Sequence, residues 1–337
     1  MRMTPRNSIA TVLRQQKKWQ KALVDFVDDN FQTALPQGRK QAVIARPALT
    51  ETLEFGTNAG HLKMLSYVPE GLKKGAPLVV VLHGCGQTAE EFDRGSGWSA
   101  LARRHKFALL YPEQRPSNNA NGCFNWFRPS AVARDRGEAG SIRQMIDLMI
   151  ETHELNEASV HIMGLSAGGA MAAAMLAAYP EKFRSGAIVA GLPVGCARDA
   201  MTALNVMHSG THKTTQDLAD LVEKSVPEAP QRWPDVTIVQ GSDDSVVHGD
   251  NALALLTQWL AVHGLDRERE ETVQRGTLTS RVWANRSGKS KVEFMLIDGM
   301  EHGLPVLPGK GEDLPFMLPA PLHLPAFLAQ DWGLTSR

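Results

Sequence analysis

Residues 160–169 read Val160-His161-Ile162-Met163-Gly164-Leu165-Ser166-Ala167-Gly168-Gly169, and an Ala-rich stretch continues to residue 178. Val160–Met163 is an apolar, β-favouring run, and the alanines that follow favour a helix. Between them lies Gly-x-Ser-x-Gly. A serine on a sharp turn from strand to helix is lifted above the sheet, where its hydroxyl can attack a substrate. Glycines two residues to either side are needed because side chains there would collide with the neighbouring strand and helix. The pattern alone is common, but this context makes Ser166 the candidate nucleophile.

Outward from this turn the chain alternates strand and helix. Leu78–Leu82 (LVVVL), bounded by Pro77 and Gly84, reads as a buried parallel strand, and Phe107–Tyr111 (FALLY) as the next. Leu53–Phe55 and Leu62–Val68 read as edge strands. A helical stretch carries Phe92, Trp98, Leu101 and Ala102 on one face, and residues 137–153 carry Ile142, Met145, Ile146, Met149 and Ile150. Ala187–Ala190, Val236–Val239 and Val292–Ile297 supply three more strands. This alternation predicts an α/β fold with a mostly parallel central sheet and helices on both faces, and ligands in such sheets sit at the carboxyl ends of the strands. Residues 1–45 stand apart: Ile9, Val12, Leu13, Trp19, Leu23, Phe26 and Val27 recur at helical spacing before Pro36, Gly38 and Pro47. They read as an N-terminal helical arm before a catalytic domain over 46–337. Residues 191–234, helical through Leu218, Leu221 and Val222, read as an inserted lid.

A serine needs a base, and the base needs an acid to orient it. In folds of this kind the chain order is Ser, then Asp or Glu, then His. The run Val236–Val239 leads into Gly241-Ser242-Asp243-Asp244-Ser245, and the last strand leads into Asp298-Gly299-Met300-Glu301-His302-Gly303. His302 is therefore the candidate base, with Asp243 or Asp244 as the acid. His83 precedes the serine, His248 follows the acid too closely, and His263 lies in a helical stretch. An oxyanion hole needs two backbone N–H groups. Ala167, after the nucleophile, supplies one, and Cys85 in His83-Gly84-Cys85-Gly86-Gln87, with Gly84 allowing its amide to turn inward, supplies the other.

The segments LHGCGQTAEEFDRGSGW (82–98), NANGCFNWFRP (119–129), GLSAGGAM (164–171), GLPVG (191–195) and GMEHG (299–303) together resemble the polyhydroxybutyrate depolymerase family of esterases, which includes feruloyl and acetylxylan esterases. The resemblance covers about residues 60–305. It implies an α/β-hydrolase that cleaves hydroxyacid polyesters or related esters without metal or cofactor. Its G-x-x-D-x-x-V pattern places the acid at Asp244, with Val247 as the valine. It further implies that Cys85 and Cys123 lie together, often as a disulfide, and that Trp126 lines the cleft. Glu301 departs from it, standing where the family more often has glycine.

Composition sets the remaining bounds. Lys plus Arg and Asp plus Glu number 36 each, and this zero balance gives no electrostatic reason to expect nucleic acid or an anionic membrane as partner. No apolar run is long enough to span a bilayer. Three cysteines are too few for a disulfide scaffold, and their spacing is not that of a zinc site. The basic N-terminus lacks an apolar core and cleavage site, so the expected location is cytoplasmic, with secretion the alternative raised by the resemblance. The rival reading from a different class is a non-catalytic hydrolase fold that binds polyester granules or another protein.

Overall fold

The structure is a computed structural model, described here for residues 48–335. The helical arm expected before residue 45 lies outside the described residues. A ten-stranded sheet runs in the order β1-β2-β4-β3-β5-β6-β7-β10-β9-β8. Its strands are β1 (Thr50–Thr52), β2 (Lys63–Tyr67), β3 (Leu78–Leu82), β4 (Ala108–Glu113), β5 (Val160–Leu165), β6 (Ser185–Val189), β7 (Asp235–Gly241), β8 (Glu271–Arg275), β9 (Leu278–Ala284) and β10 (Ser290–Ile297). From β4 to β10 along the sheet the neighbours are parallel. Antiparallel pairs close both ends.

Strand alternation divides the core into two layers. Leu78, Val80 and Leu82 face a layer filled by α4 (Gly137–His153), α5 (Ala167–Ala178) and α8 (Asp250–His263), through Ile142, Ile146, Met171 and Trp259. Val79 and Val81 face the other, filled by α1 (Ala89–Ser96), α2 (Trp98–His105) and α9 (Leu324–Asp331), through Phe92, Trp98 and Leu328. The helix α3 (Pro129–Val132) is a single turn before α4. All twelve residues of α5 are buried, so small alanines let the helix lie close against the sheet.

Three expectations change, and one element appears that was not expected from sequence. The stretch from Phe92 to Ala102 is two helices, because Gly97 adopts φ +73° and ends α1. A Cβ there would come within 2.7 Å of the Lys310 carbonyl oxygen, so only glycine fits. The first strand is Thr50–Thr52, not Leu53–Phe55: Leu53 is 78% exposed and Phe55 turns into the core. Residues 271–284 form a hairpin that carries no apolar signal strong enough to read in sequence. The segment 191–234 holds α6 (Ala200–Ser209) and α7 (Thr215–Glu223). Leu218, Ala219 and Val222 of α7 are buried, so α7 is body rather than cover, while Ala200 and Ala203 of α6 pack with Phe127 and Trp126.

The site follows from the sheet order. The chain runs from β3 to β4 on one side, then returns to place β5 on the other side of β3. This reversal opens a crevice where the carboxyl ends of β3 and β5 diverge. Leu82 stands opposite Gly164, so the loop after β3 and the serine turn after β5 are neighbours.

Candidate active site

Ser166 sits between β5 and α5 with φ +57° and ψ −118°, a conformation a side-chain-bearing residue adopts only under strain. The backbone holds it: Ser166 N–H donates to Val189 O at 2.9 Å and Ala170 N–H to Ser166 O at 2.9 Å. The glycines behave as the sequence requires. A Cβ on Gly164 would lie 2.1 Å from Gly168 O, and one on Gly168 would lie 2.4 Å from the carbonyl oxygens of Leu82 and His83.

His302 and Asp244 meet at the ends of β10 and β7. His302 Nδ1 lies 2.8 Å from Asp244 Oδ2, with both side chains almost wholly buried. Asp244 Oδ1 accepts from the N–H groups of Val246 at 3.0 Å and Val247 at 2.7 Å. Oδ2 accepts a further bond from Gln240 Nε2 at 3.0 Å. As a carboxylate in this cradle accepts only, Nδ1 is the donor, and Nε2 is left as the basic nitrogen. His302 Nε2 is buried and has no hydrogen-bond partner among the described residues. Asp243, by contrast, is exposed and accepts from Ser242 Oγ. The geometry thus joins His302 to Asp244 and leaves Asp243 outside.

The two loops are fastened to each other. Ser242 N–H donates to Ile297 O and Asp243 N–H to Met300 O. Gly241 ends β7 because a Cβ there would lie 2.0 Å from Met300 O. Glu301 points to solvent and accepts from Ser245 Oγ at 3.0 Å, a further tie between the acid and base loops.

In the loop after β3, Gly84 N–H donates to Gln87 Oε1 and Gly86 N–H to Asn121 O, each at 2.9 Å. Between them the Cys85 N–H donates to no acceptor among the described residues, and neither does Ala167 N–H at the first turn of α5. Gly84 was expected to supply the unusual backbone, but it is Gly86 that takes a positive φ of 70°. Cys85 and Cys123 form a disulfide, with Cα atoms 4.2 Å apart. Trp126 packs against this bridge and Ala167, and on its other side against the cluster of Leu192, Val246 and Val247. The loop bearing Cys123 and Trp126 is anchored by buried Glu138. That carboxylate accepts from Asn125 N–H at 2.8 Å, Gln114 Nε2 at 2.8 Å, and the Asn118 and Asn125 amides. Burial pushes the Glu138 carboxyl up, opposed by those same bonds.

Of the other histidines considered from sequence, His83 and His263 are structural. His83 Nε2 accepts from Gln114 N–H at 3.1 Å, so its Nδ1–H donates to Gly84 O. His263 Nε2 bonds to Pro234 O, and His248 is exposed.

Two residues of the site were not singled out in sequence. Gln240 is an ordinary strand residue until the acid loop folds back over it. Phe316 lies in the Pro- and Leu-rich tail, its ring edge-on to His302 with centroids 6.1 Å apart. Its φ is +65°, an unusual cost for an aromatic residue. It is held by the short parallel pair β11 (Leu304–Val306) and β12 (Met317–Pro319), and by Gln87 Nε2, which donates to Pro315 O at 3.2 Å. The tail therefore ties the loop after β3 to His302.

The chain is 41% identical over 264 residues to poly(3-hydroxyalkanoate) depolymerase C of Paucimonas lemoignei, an alignment covering 78% of this chain and 64% of that protein. It is 30% identical over 229 residues to feruloyl esterase B of Thermothelomyces thermophilus, covering 66% of this chain and 78% of that one. Among solved structures, an acetyl xylan esterase from Aspergillus awamori superposes with a TM-score of 0.74 at 21% identity, over 86% of this chain and 100% of the other, which shows the α/β-hydrolase fold. The family model described as "Esterase PHB depolymerase" matches residues 62–276, well over half the chain, and the protein belongs to that family.

Proposed function

We propose that this protein is a serine esterase that hydrolyses short-chain hydroxyacid polyesters and their oligomers. The observation that carries the reading is the buried His302–Asp244 pair at 2.8 Å, in a chain whose Ser166 is strained into the elbow conformation. Ser166 Oγ attacks the ester carbonyl while His302 Nε2 takes its proton. Asp244 holds the ring and stabilises the imidazolium that forms. The N–H groups of Cys85 and Ala167 receive the oxyanion, and each such donor is worth about 3 kcal/mol of transition-state stabilisation. His302 then protonates the leaving alcohol, and water hydrolyses the acyl-enzyme. A granule-binding protein without catalysis would have no use for a polarised, buried His–Asp pair.

The polyester reading rests on the 41% identity to the depolymerase; the feruloyl and acetylxylan esterases are more distant. Trp126, packed on Ala167, and Phe316, edge-on to His302, are apolar side chains suited to an aliphatic hydroxyacyl chain. Ala200 and Ala203 of α6 pack with Phe127 and Trp126, cover that suits soluble esters and chain ends better than a crystalline surface. The Cys85–Cys123 bridge supports an oxidising compartment in place of the cytoplasmic location expected from sequence. No helix among the described residues is long and apolar enough to cross a membrane.

The test pairs variants with substrates. Ser166→Ala and His302→Ala should each lower kcat by about 10⁴ or more, Asp244→Asn severely and Asp243→Asn little. Hydroxybutyrate oligomers should be cleaved much faster than feruloyl esters or crystalline polymer. Full activity in Asp244→Asn would break the acid assignment, and a preference for feruloyl esters would break the substrate assignment alone.

A further inference from the structure

One edge of the sheet carries a pattern that the catalytic reading does not use. β8 pairs only with β9, and all five of its residues, Glu271-Thr272-Val273-Gln274-Arg275, are exposed. The connection to β9 is two residues, Gly276-Thr277, with Gly276 at φ +60°. Arg275 and Leu278 flank this tight turn and so form its closing hydrogen-bonded pair. In an antiparallel ladder bonded and non-bonded pairs alternate, so Val273 and Glu271 also direct their backbone groups towards β9. Thr272 and Gln274 therefore direct theirs outward. No strand among the described residues receives them.

An open edge invites another strand, and many proteins guard against this with like charges that repel a second copy. Here the charges have the opposite effect. If a second copy of β8 is laid antiparallel with Val273 opposite Val273, Glu271 of each copy faces Arg275 of the other. Thr272 of each faces Gln274 of the other, and these are the residues whose N–H and C=O groups point outward. A parallel arrangement loses both matches. At the centre stands Val273, one of the few large apolar side chains left exposed, at 49%. Apolar contact, charge and backbone polarity all agree on one register.

We propose that β8 is a homodimerisation edge, through which two copies join their sheets antiparallel about a two-fold axis at Val273. Five residues bury little area beside the roughly 1,200–2,000 Å² of a standard stable interface, so the dimer is reversible and concentration-dependent. The elbow after β5 lies five strands away along the sheet, so each copy keeps its own complete site.

Analytical ultracentrifugation of the full chain, from low micromolar to near-millimolar concentration, tests this. The wild type should pass from monomer to dimer. Glu271→Arg and Arg275→Glu each set like charges face to face and should remain monomeric, while the double exchange restores the dimer. Val273→Cys should give a disulfide-linked dimer on a non-reducing gel, since facing residues at a non-bonded pair have Cβ atoms about 4.5–5.5 Å apart. Ester hydrolysis per chain should be the same throughout, so this proposal and the catalytic one fail separately. A wild type monomeric at the highest concentration overturns the proposal, as does a dimer that survives both single exchanges. A monomer whose β8 amides resist hydrogen exchange would show another segment of the same chain on this edge, and would overturn it equally.

Discussion

Replacing Gln240 by leucine separates holding the acid from holding the fold. Gln240 is buried, and its Nε2 lies within hydrogen-bond reach of Asp244 Oδ2 at 3.0 Å and Val247 O at 3.2 Å. Both neighbours are acceptors, so the amide must present its nitrogen to them. Its Oε1 is left buried without a partner among the described residues. Leucine has a similar volume and no polar atoms. It removes the unpaired oxygen, a relief of about 1–3 kcal/mol, and also the bonds made by Nε2, of which the one to a charged acceptor is worth about 1.5–3 kcal/mol. These nearly offset each other, so the stability of Gln240→Leu should stay within about 1 kcal/mol of wild type. Catalysis has no such offset. Asp244 keeps His302 and two backbone donors, but loses the contact that fixes Oδ2 in line with Nδ1. A loss of about 1–2 kcal/mol from the transition state means roughly a 5- to 30-fold fall in kcat. KM should hardly move, because Gln240 lies behind the acid and away from substrate. The assay is steady-state hydrolysis of a soluble ester, with active sites counted by a fluorophosphonate and unfolding followed in urea. The His302 Nδ1–H proton resonance should also shift. Unchanged kcat per titrated site would refute the reasoning, as would a loss carried wholly by KM or by stability.

Thiol titration of the denatured, unreduced chain should find one reactive group, Cys196, whose thiol burial pushes up to about 11 in the fold; three would mean that no bridge forms. Replacing Cys85 and Cys123 together by serine opens a loop of 38 residues and should cost about 3–4 kcal/mol by the chain-entropy relation, read from urea midpoints. His161 is enclosed between Ser185 and Trp332, and burial lowers its pKa to about 3. The folded value lies below the unfolded one, so the neutral ring contributes stability that is complete above about pH 6.5 and is lost as pH falls towards 3, by about 2 kcal/mol at pH 5. His161→Gln should flatten that decline in urea unfolding, and an unaltered slope would remove His161 from the account.

Much of this site could be read before folding was considered. Gly164-Leu165-Ser166-Ala167-Gly168 announces itself because backbone strain and close packing leave glycine no substitute, and those demands act over five consecutive residues. LVVVL and the Ala-rich helix are legible for the same reason, since burial on both sides removes polar residues from the run. The order Ser, Asp, His follows from the order of the strands. What sequence position left open was which aspartate serves, since Asp243 and Asp244 are adjacent and chemically alike. Resemblance favours Asp244, and the tertiary structure supports that proposal: the turn after β7 aims one side chain at His302 and two backbone donors, and the other at water. Gln240, Phe316 and the self-complementary edge of β8 were silent for a related reason. Each depends on a partner far along the chain or on another molecule, and a residue's own type carries no record of what the fold will bring beside it.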